Sequence, residues 1–253
     1  MPAHARAFDA VVLAGGRSTR LGGADKPGLV VGRRTLLGAV VWAVTEAGAS
    51  RVVVVGPQRP AALGAATLSP GTGGTGSPGT GGPGTGGPGT GGPGTGSLAA
   101  GGPGARGGEQ VRYTREDPPG GGPVPALRRG LAEVSAPDVV LLAADLPFLR
   151  PVHVMRLLAA LAGPATRGAV LLDASGRPQW LASGWPAAVL RAALEGYPGR
   201  SLRGVLGPLD PVLLPDETAA GEPPPWLDCD TADDLRVARA WAARAGTEQE
   251  ATR

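Results

Sequence analysis

An apolar run at residues 10–13 stops in a glycine-rich segment, residues 13–26, which reads LAGGRSTRLGGADK. Glycines let backbone N–H groups approach an anion without a Cβ in the way. Arg17, Arg20 and Lys26 add three positive charges to the same segment. The pattern predicts a buried strand followed by a loop that binds phosphate groups, and a nucleoside triphosphate is the ligand it favours.

The segment lacks the spacing of the P-loop, Gly-x4-Gly-Lys-Ser/Thr, and of the dinucleotide loop, Gly-x-Gly-x-x-Gly. A Gly-Gly pair after a strand is, on its own, more typical of an ordinary turn between a strand and a helix. The basic side chains favour function over that alternative. Lys26 is also the one lysine of the chain, and its position in the loop indicates a chemical role rather than chance.

Residues 60–105 contain no charged side chain, and Pro-Gly-Thr-Gly-Gly recurs there from Pro78, Pro83 and Pro88. A five-residue period excludes the collagen triple helix. With few apolar side chains to offset the entropy of ordering, we expect residues 60–108 to be a disordered insertion in a single domain of residues 1–253. A tolerated loop expansion, which costs little, is favoured over a tether or partner-binding arm.

Composition excludes several classes of protein. The net charge is +3, from 24 basic and 21 acidic residues, and no basic stripe interleaved with aromatic residues suggests nucleic-acid binding. No apolar run is long enough to span a membrane, and the N-terminus does not resemble a signal peptide. The single cysteine, Cys229, predicts neither an intrachain disulfide nor a zinc site. We therefore expect a cytoplasmic protein that binds neither nucleic acid nor membranes.

Apolar strands alternate with helices along the chain. Strands are predicted at residues 8–13, 51–56, 111–114, 138–145, 169–173, 179–183 and 211–214, and helices at residues 35–47, 124–134, 151–162, 186–195, 202–206 and 231–243. This order predicts an α/β fold with a mostly parallel, Rossmann-like sheet and helices on both faces. The turn at residues 174–178 predicts an antiparallel element in the C-terminal part.

In open α/β sheets, ligands bind outside the carboxyl ends of the strands. The glycine-rich segment, Asp117 and Asp145 each follow a predicted strand, so we expect them at one edge of the sheet. Asp145 comes directly after a buried strand, where a carboxylate needs a partner. Mg²⁺ bridging triphosphate oxygens would supply one; a turn or helix-capping aspartate is the plain alternative.

The pattern Leu-Ala-Gly-Gly-x-Ser-x-Arg-hydrophobic-Gly-x2-Asp-Lys resembles the signature of nucleotidyltransferases, most closely the molybdenum cofactor guanylyltransferases. Two later stretches are similar to that family in the same order. They are Glu116-Asp117 with the Gly-Pro of residues 122–123, and the run DCDTADDL at residues 228–235. The resemblance covers nearly all of the chain outside the insertion.

The resemblance implies roles for individual residues. Lys26 and Arg20 would be catalytic, Lys26 at the α-phosphate and Arg20 at the β- and γ-phosphates, while Asp145 and Asp230 would bind the metal, Mg²⁺. The implied nucleotide-binding residues are Leu13, Ala14, Gly15, Gly16, Arg17, Ser18, Lys26, Asp117 and Asp145.

The activity implied is transfer of a nucleotidyl group from GTP to the phosphate of molybdenum-bound molybdopterin, with release of pyrophosphate. A molybdoenzyme or a cofactor-insertion protein is the partner to expect. Two alternatives stay open: cytidylyl or other nucleotidyl transfer to a related cofactor or small phosphorylated metabolite, and a nucleotide-binding accessory protein without turnover.

The chain departs from the family pattern at three places. Gly56 stands where an asparagine that contacts the nucleotide is expected, so base recognition would fall to backbone groups. Asp228 and Asp230 replace asparagines of the final motif, and Pro125 interrupts the stretch after Gly-Pro.

Overall fold

The computed structural model describes residues 6–15, 25–59, 111–163 and 165–251. The strands are β1 (Phe8–Leu13), β2 (Val30–Val31), β3 (Arg34–Thr35), β4 (Arg51–Val55), β5 (Val111–Thr114), β6 (Asp138–Ala143), β7 (Ala169–Leu172), β8 (Pro178–Pro186) and β9 (Val212–Leu214). The helices are α1 (Leu36–Glu46), α2 (Pro123–Leu131), α3 (Pro151–Ala160), α4 (Ala187–Leu194), α5 (Leu202–Leu206) and α6 (Ala232–Ala251), with 3₁₀ turns at Lys26–Gly28 and Gly207–Leu209.

Seven strands form the main sheet in the order β5-β4-β1-β6-β8-β7-β9. β1 pairs in parallel with β4 and β6, and β4 pairs in parallel with β5, whereas β8 is antiparallel to both β6 and β7. The predicted α/β fold, with a mostly parallel sheet and an antiparallel element near the C-terminus, is confirmed. Because β1, β4, β5 and β6 share one direction, their carboxyl ends meet at one edge.

Side chains of β1 alternate between two hydrophobic layers, as a strand buried on both faces requires. Ala10 and Val12 lie in one layer with residues of α1 and α3, while Val11 and Leu13 lie in the other with residues of α2 and α4. Helix α2 packs so closely that a Cβ on Gly130 would lie 2.6 Å from Val11 Cγ1. The strand that ends at the glycine-rich segment is therefore fixed from both sides.

The hairpin of β2 and β3 was not predicted, because two-residue strands carry no readable alternation. It forms a small hydrophobic cluster with the C-terminal part, in which Val31 packs with Cys229 and Leu235. Burial raises the pKa of the Cys229 thiol to about 12, which gives this cysteine a structural role. The cluster brings the chain around residue 230 to the sheet edge where Lys26 lies.

Helix α6 begins where the sequence predicts. Thr231 Oγ1 accepts a hydrogen bond from the Asp234 N–H (3.1 Å), and the Asp234 carboxylate accepts one from the Thr231 N–H (2.7 Å). This reciprocal cap fixes the chain direction immediately after Asp230.

The low-complexity insertion at residues 60–108 lies outside the described residues. Within the part of the chain that the structure describes, no helix is both long and apolar enough to cross a membrane. The disorder of the insertion, the single-domain organisation and the cytoplasmic location stay predictions.

Candidate active site

The carboxyl ends of β1, β4, β5 and β6 surround a cleft of about 780 Å³. Of the predicted catalytic, nucleotide-binding and metal-binding residues, six line it: Leu13, Ala14, Gly15, Lys26, Asp145 and Asp230. The predicted site residues Gly16, Arg17, Ser18 and Arg20 lie outside the described residues. Residues from the two ends of the chain, more than 200 positions apart, thus meet in one cleft.

Lys26 forms ion pairs with two carboxylates in this cleft, Asp145 and Asp230. The side chain of Lys26 is 14 % exposed and that of Asp145 is 17 % exposed, while Asp230 is half exposed. The backbone holds Lys26 in a 3₁₀ turn, in which the Leu29 N–H donates to the Lys26 carbonyl (3.0 Å). The one lysine of the chain is therefore a fixed cation at the centre of an acidic pair.

Burial lowers the pKa of Lys26, but the charge of Asp145, its hydrogen bond and the corresponding contacts with Asp230 raise the pKa by more. The net pKa lies above its usual value, so the side chain is an ammonium ion throughout the physiological range. Partial burial, together with the negative charges of Asp230 and Asp145, raises the pKa of Asp228. Negative charge is thus concentrated at this end of the cleft.

Each carboxylate is positioned by its own element. Asp145 follows β6, whose end is tied to β1 by a hydrogen bond from the Ala144 N–H to the Leu13 carbonyl (3.1 Å). Asp230 lies between Cys229, which is fully buried, and Thr231, which caps α6. The fold, rather than sequence proximity, brings the two carboxylates to Lys26.

The donor set fits a hard divalent cation. Oxygens of Asp145 and Asp230 both contact the single Lys26 Nζ atom, so the two carboxylates lie close enough together to share one cation. Mg²⁺ at nucleotide sites is typically held by one or two carboxylates and completed by phosphate oxygens and water. The described residues contain no group of three or more His, Cys, Asp or Glu residues that could hold a metal without such help.

The opposite end of the cleft is built around Gly56. Its N–H donates to the Thr114 carbonyl (2.8 Å), and a Cβ at this position would lie 2.8 Å from the Ala14 carbonyl carbon and oxygen. The expected asparagine would therefore collide with the backbone of Ala14. Glycine at this position follows from the close approach of β4 to the end of β1.

Two backbone groups at the end of β1 take part in the sheet. The Ala14 N–H donates to the Val55 carbonyl (2.8 Å), and the Leu13 carbonyl accepts from the Ala144 N–H (3.1 Å). Recognition of the base by backbone groups stays a prediction.

Glu116, to which the sequence analysis assigned no role in the site, lines the cleft, whereas its neighbour Asp117 is exposed and does not line it. Glu116 is 8 % exposed, and its Oε1 accepts a hydrogen bond from the Gly120 N–H (2.9 Å). Its Oε2 is buried and has no hydrogen-bond partner among the described residues. The sequence alone could not show which of the adjacent acids, Glu116 or Asp117, lines the cleft, because this depends on the direction of each side chain after β5.

Arg59 forms the remaining part of this wall. It makes an ion pair with Asp25, and its Nη1 donates to the carbonyl oxygens of Ala14 and Pro57, both at 3.2 Å. The Arg59 carbonyl in turn accepts a hydrogen bond from the Tyr113 hydroxyl (3.0 Å). Arg59 is another cleft residue that sequence reasoning missed, because nothing in the local sequence relates it to the glycine-rich segment.

Comparison with known families agrees with this geometry. The family model of the MobA-like NTP transferase domain matches residues 10–83 and 98–212, which include most of β1, Lys26, Glu116 and Asp145. The chain belongs to this family. The gap in the match, residues 84–97, falls inside the low-complexity insertion, and Asp230 lies beyond the matched residues. No curated protein matches the chain.

Solved structures share the MobA-like fold over nearly their whole length. Molybdopterin-guanine dinucleotide biosynthesis protein A from Archaeoglobus fulgidus is 18% identical, with a TM-score of 0.57 over 93% of this chain and 99% of that one. The 4-diphosphocytidyl-2C-methyl-D-erythritol synthase from Anaerococcus prevotii is 11% identical (TM-score 0.58; 94% and 97% covered). Rv0371c from Mycobacterium tuberculosis, solved as a complex with manganese, is 21% identical (TM-score 0.54; 93% and 99% covered).

Proposed function

We propose that this nucleotidyltransferase transfers a guanylyl group from GTP to the terminal phosphate of molybdenum-bound molybdopterin and releases pyrophosphate. The observation that carries the proposal is Lys26 held between Asp145 and Asp230 at one end of a cleft whose other end carries Glu116. The first group suits the phosphates and the second suits the base.

The dimensions of the sheet support this division. Glu116 follows β5 and Asp145 follows β6, and these strands are separated by β4 and β1. Three spacings of roughly 4.8 Å between strands place the two ends about 14 Å apart. A nucleoside triphosphate laid along the strand ends spans that distance with its base on the β5 side and its phosphates on the β6 side.

The reaction requires positioning and charge neutralisation more than proton transfer. An oxygen of the acceptor phosphate attacks the α-phosphorus in line, a new P–O bond forms, and the bond to the leaving pyrophosphate breaks. Lys26 supplies a preorganised positive charge beside the reacting phosphates. The acceptor phosphate is already deprotonated, so no general base or protein nucleophile is needed.

Asp145 and Asp230 are the residues that would hold Mg²⁺. When bound, the ion would neutralise charge on the triphosphate and favour departure of pyrophosphate. The mycobacterial relative was solved as a complex with manganese, which supports the choice of a divalent cation.

Glu116 supports guanine as the base. Its buried Oε2 has no hydrogen-bond partner among the described residues, and a buried acceptor calls for a donor. Guanine presents two adjacent donor groups, N1–H and the 2-amino group, to such a carboxylate, and charge-assisted hydrogen bonds of this kind are the strong ones. Uracil offers one ring N–H, and cytosine and adenine offer one amino group each.

Cytidylyl transfer to a related cofactor or a phosphorylated metabolite is the second candidate, since the cytosine amino group can also donate to Glu116. The fold shared with the Anaerococcus synthase is compatible with it. The complete set of Lys26, Asp145 and Asp230 favours turnover over an accessory role without catalysis. A molybdoenzyme or an insertion protein that receives the product is the corresponding partner.

The test is incubation of the protein with molybdenum-loaded molybdopterin, Mg²⁺ and each of GTP, CTP, ATP and UTP, with mass detection of the product. We expect the guanine dinucleotide, formed only with Mg²⁺ present. A cytosine dinucleotide would replace the guanylyl assignment with the second candidate. Nucleotide binding without any product from this acceptor would contradict the molybdopterin assignment.

A further inference from the structure

Arg59 contacts both ends of the glycine-rich segment at once. Its Nη1 donates to the carbonyl of Ala14, at the start of the segment, while its Nε pairs with the carboxylate of Asp25, near the end of the segment. Asp25 immediately precedes Lys26. One planar guanidinium therefore relates the end of β1 to the turn that carries the lysine.

The Arg59 side chain is itself fixed. It is 16 % exposed, its backbone carbonyl accepts from Tyr113 of β5 (3.0 Å), and its Nη1 donates to the Pro57 carbonyl as well (3.2 Å). Exposed ion pairs contribute little to stability on their own. The guanidinium here makes two backbone hydrogen bonds besides its ion pair, and its rigid fork holds their directions relative to one another.

We propose that Arg59 is a positioning residue, which sets the distance between the end of β1 and Lys26 and so presents the lysine to the phosphates of a bound nucleotide. Arg59 acts through Asp25 and Ala14. This role depends on the proposed function only in that a triphosphate occupies the cleft.

The role of Arg59 also accounts for the wall around Gly56. With glycine at position 56, the end of β4 brings no side chain toward Ala14, and the contact with Ala14 comes from Arg59 three residues later.

The first measurement needs no substrate. Hydrogen exchange of the ligand-free protein should show faster exchange at residues 25–29 in Arg59→Ala than in wild type. Arg156→Ala is the matched control, because Arg156 also combines an ion pair, to Glu217 (2.6 Å), with a hydrogen bond to a backbone carbonyl, that of Pro215 (2.8 Å). Arg156 does not line the cleft, and its variant should leave exchange at residues 25–29 unchanged.

The second measurement is the affinity of Mg·GTP by calorimetry. Arg59→Ala should raise Kd about tenfold, the cost of removing one charge-assisted hydrogen bond from an ordered site. Arg59→Lys should recover part of this affinity, because an ammonium can pair with Asp25 but cannot also hold Ala14 through a fork. Tyr113→Phe, which removes only the anchor on the Arg59 carbonyl, should shift Kd in the same direction by less.

The coupling between Arg59 and Asp25 completes the test. In an Asp25→Asn background, Arg59→Ala should raise Kd for Mg·GTP by a smaller factor than it does in the wild-type protein, since both changes remove the same link. Fully additive losses, or Arg59→Ala matching wild type in both exchange and Kd, would overturn the proposal. If Arg59→Ala does not fold, Tyr113→Phe and Asp25→Asn decide by the same readouts. Faster exchange in a protein that transfers no nucleotide would uphold the link while refuting the proposed function.

Discussion

The two ends of the cleft differ in how their residues are specified. The phosphate end, with Lys26, Asp145 and Asp230, consists of charged residues in short motifs that directly follow or precede secondary structure. The nucleoside end, with Gly56, Arg59 and Glu116, depends on how β1, β4 and β5 approach one another. If the proposed function is correct, the residues for phosphate chemistry are encoded locally, whereas those for base selectivity depend on packing between strands.

The difference extends to electrostatics. At the phosphate end Lys26 is paired with two carboxylates, which leaves an excess of negative charge. At the nucleoside end the Oε2 of Glu116 is left without a partner among the described residues. The proposed function therefore calls for a cation at the phosphate end and for a hydrogen-bond donor at the nucleoside end. Variants at each end should accordingly affect different kinetic parameters.

The largest effect is expected at the phosphate end. Lys26→Ala should lower kcat about a hundredfold or more, equivalent to about 3 kcal/mol, because it removes one preorganised charge from the transition state. Steady-state kinetics and circular dichroism together separate this loss from unfolding. Lys26→Arg is the conservative comparison and should recover only part of kcat. A folded Lys26→Ala protein within about threefold of wild type would remove the lysine from the mechanism.

The next largest effect concerns the metal. Asp145→Asn should raise the Mg²⁺ concentration needed for half-maximal turnover about a hundredfold, since a neutral amide replaces a charged ligand. Asp230→Asn should raise it less, because Asp230 is half exposed and more strongly screened. Turnover titrated with Mg²⁺ for both variants is the measurement. An unchanged Mg²⁺ requirement in Asp145→Asn would return this residue to a structural role at the strand end.

The sequence predicted most of the fold, since each strand of the main sheet lies within three residues of its predicted ends. Long apolar runs and glycine-containing turns carry that information locally. The hairpin of β2 and β3 could not be predicted, because its stability comes from packing on α6. Lys26 and Asp145 could be predicted as site residues because they lie in short local motifs, and the structure brings them together. No role was assigned to Arg59 or Glu116, because their places in the cleft depend on tertiary contacts.

The nucleoside end should show a smaller but selective effect. Glu116→Gln should reduce kcat/KM for GTP about tenfold to a hundredfold and reduce discrimination against CTP, because the amide offers a weaker and only partly matched acceptor. ITP, which lacks the 2-amino group, sharpens the measurement: wild type should prefer GTP to ITP, and the variant should not.

Two further variants serve as the comparison and the control for Glu116→Gln. Asp117→Asn should change kcat/KM less than Glu116→Gln does, because Asp117 is exposed and does not line the cleft. Glu133→Gln, in an ion pair with Arg129 on α2 (2.9 Å), is the control for loss of a carboxylate elsewhere. A larger effect at Asp117 than at Glu116 would reverse the assignment and restore the residue that the motif suggested.

The smallest effect is expected from removing residues 64–104. The segment begins shortly after Arg59, so its deletion tests whether the insertion contributes to the nucleoside end of the cleft. It is uncharged and repetitive, with few apolar side chains to bury, and lengthening or shortening such a loop changes its closure entropy only slightly.

The deletion variant should keep Tm within about 2 °C of the full-length protein, a stability change well below 1 kcal/mol, and keep kcat/KM for GTP within about twofold. A loss of Tm with intact kinetics would show that the insertion packs on the domain. A rise in KM for GTP alone would place it at the nucleoside end, beside Arg59.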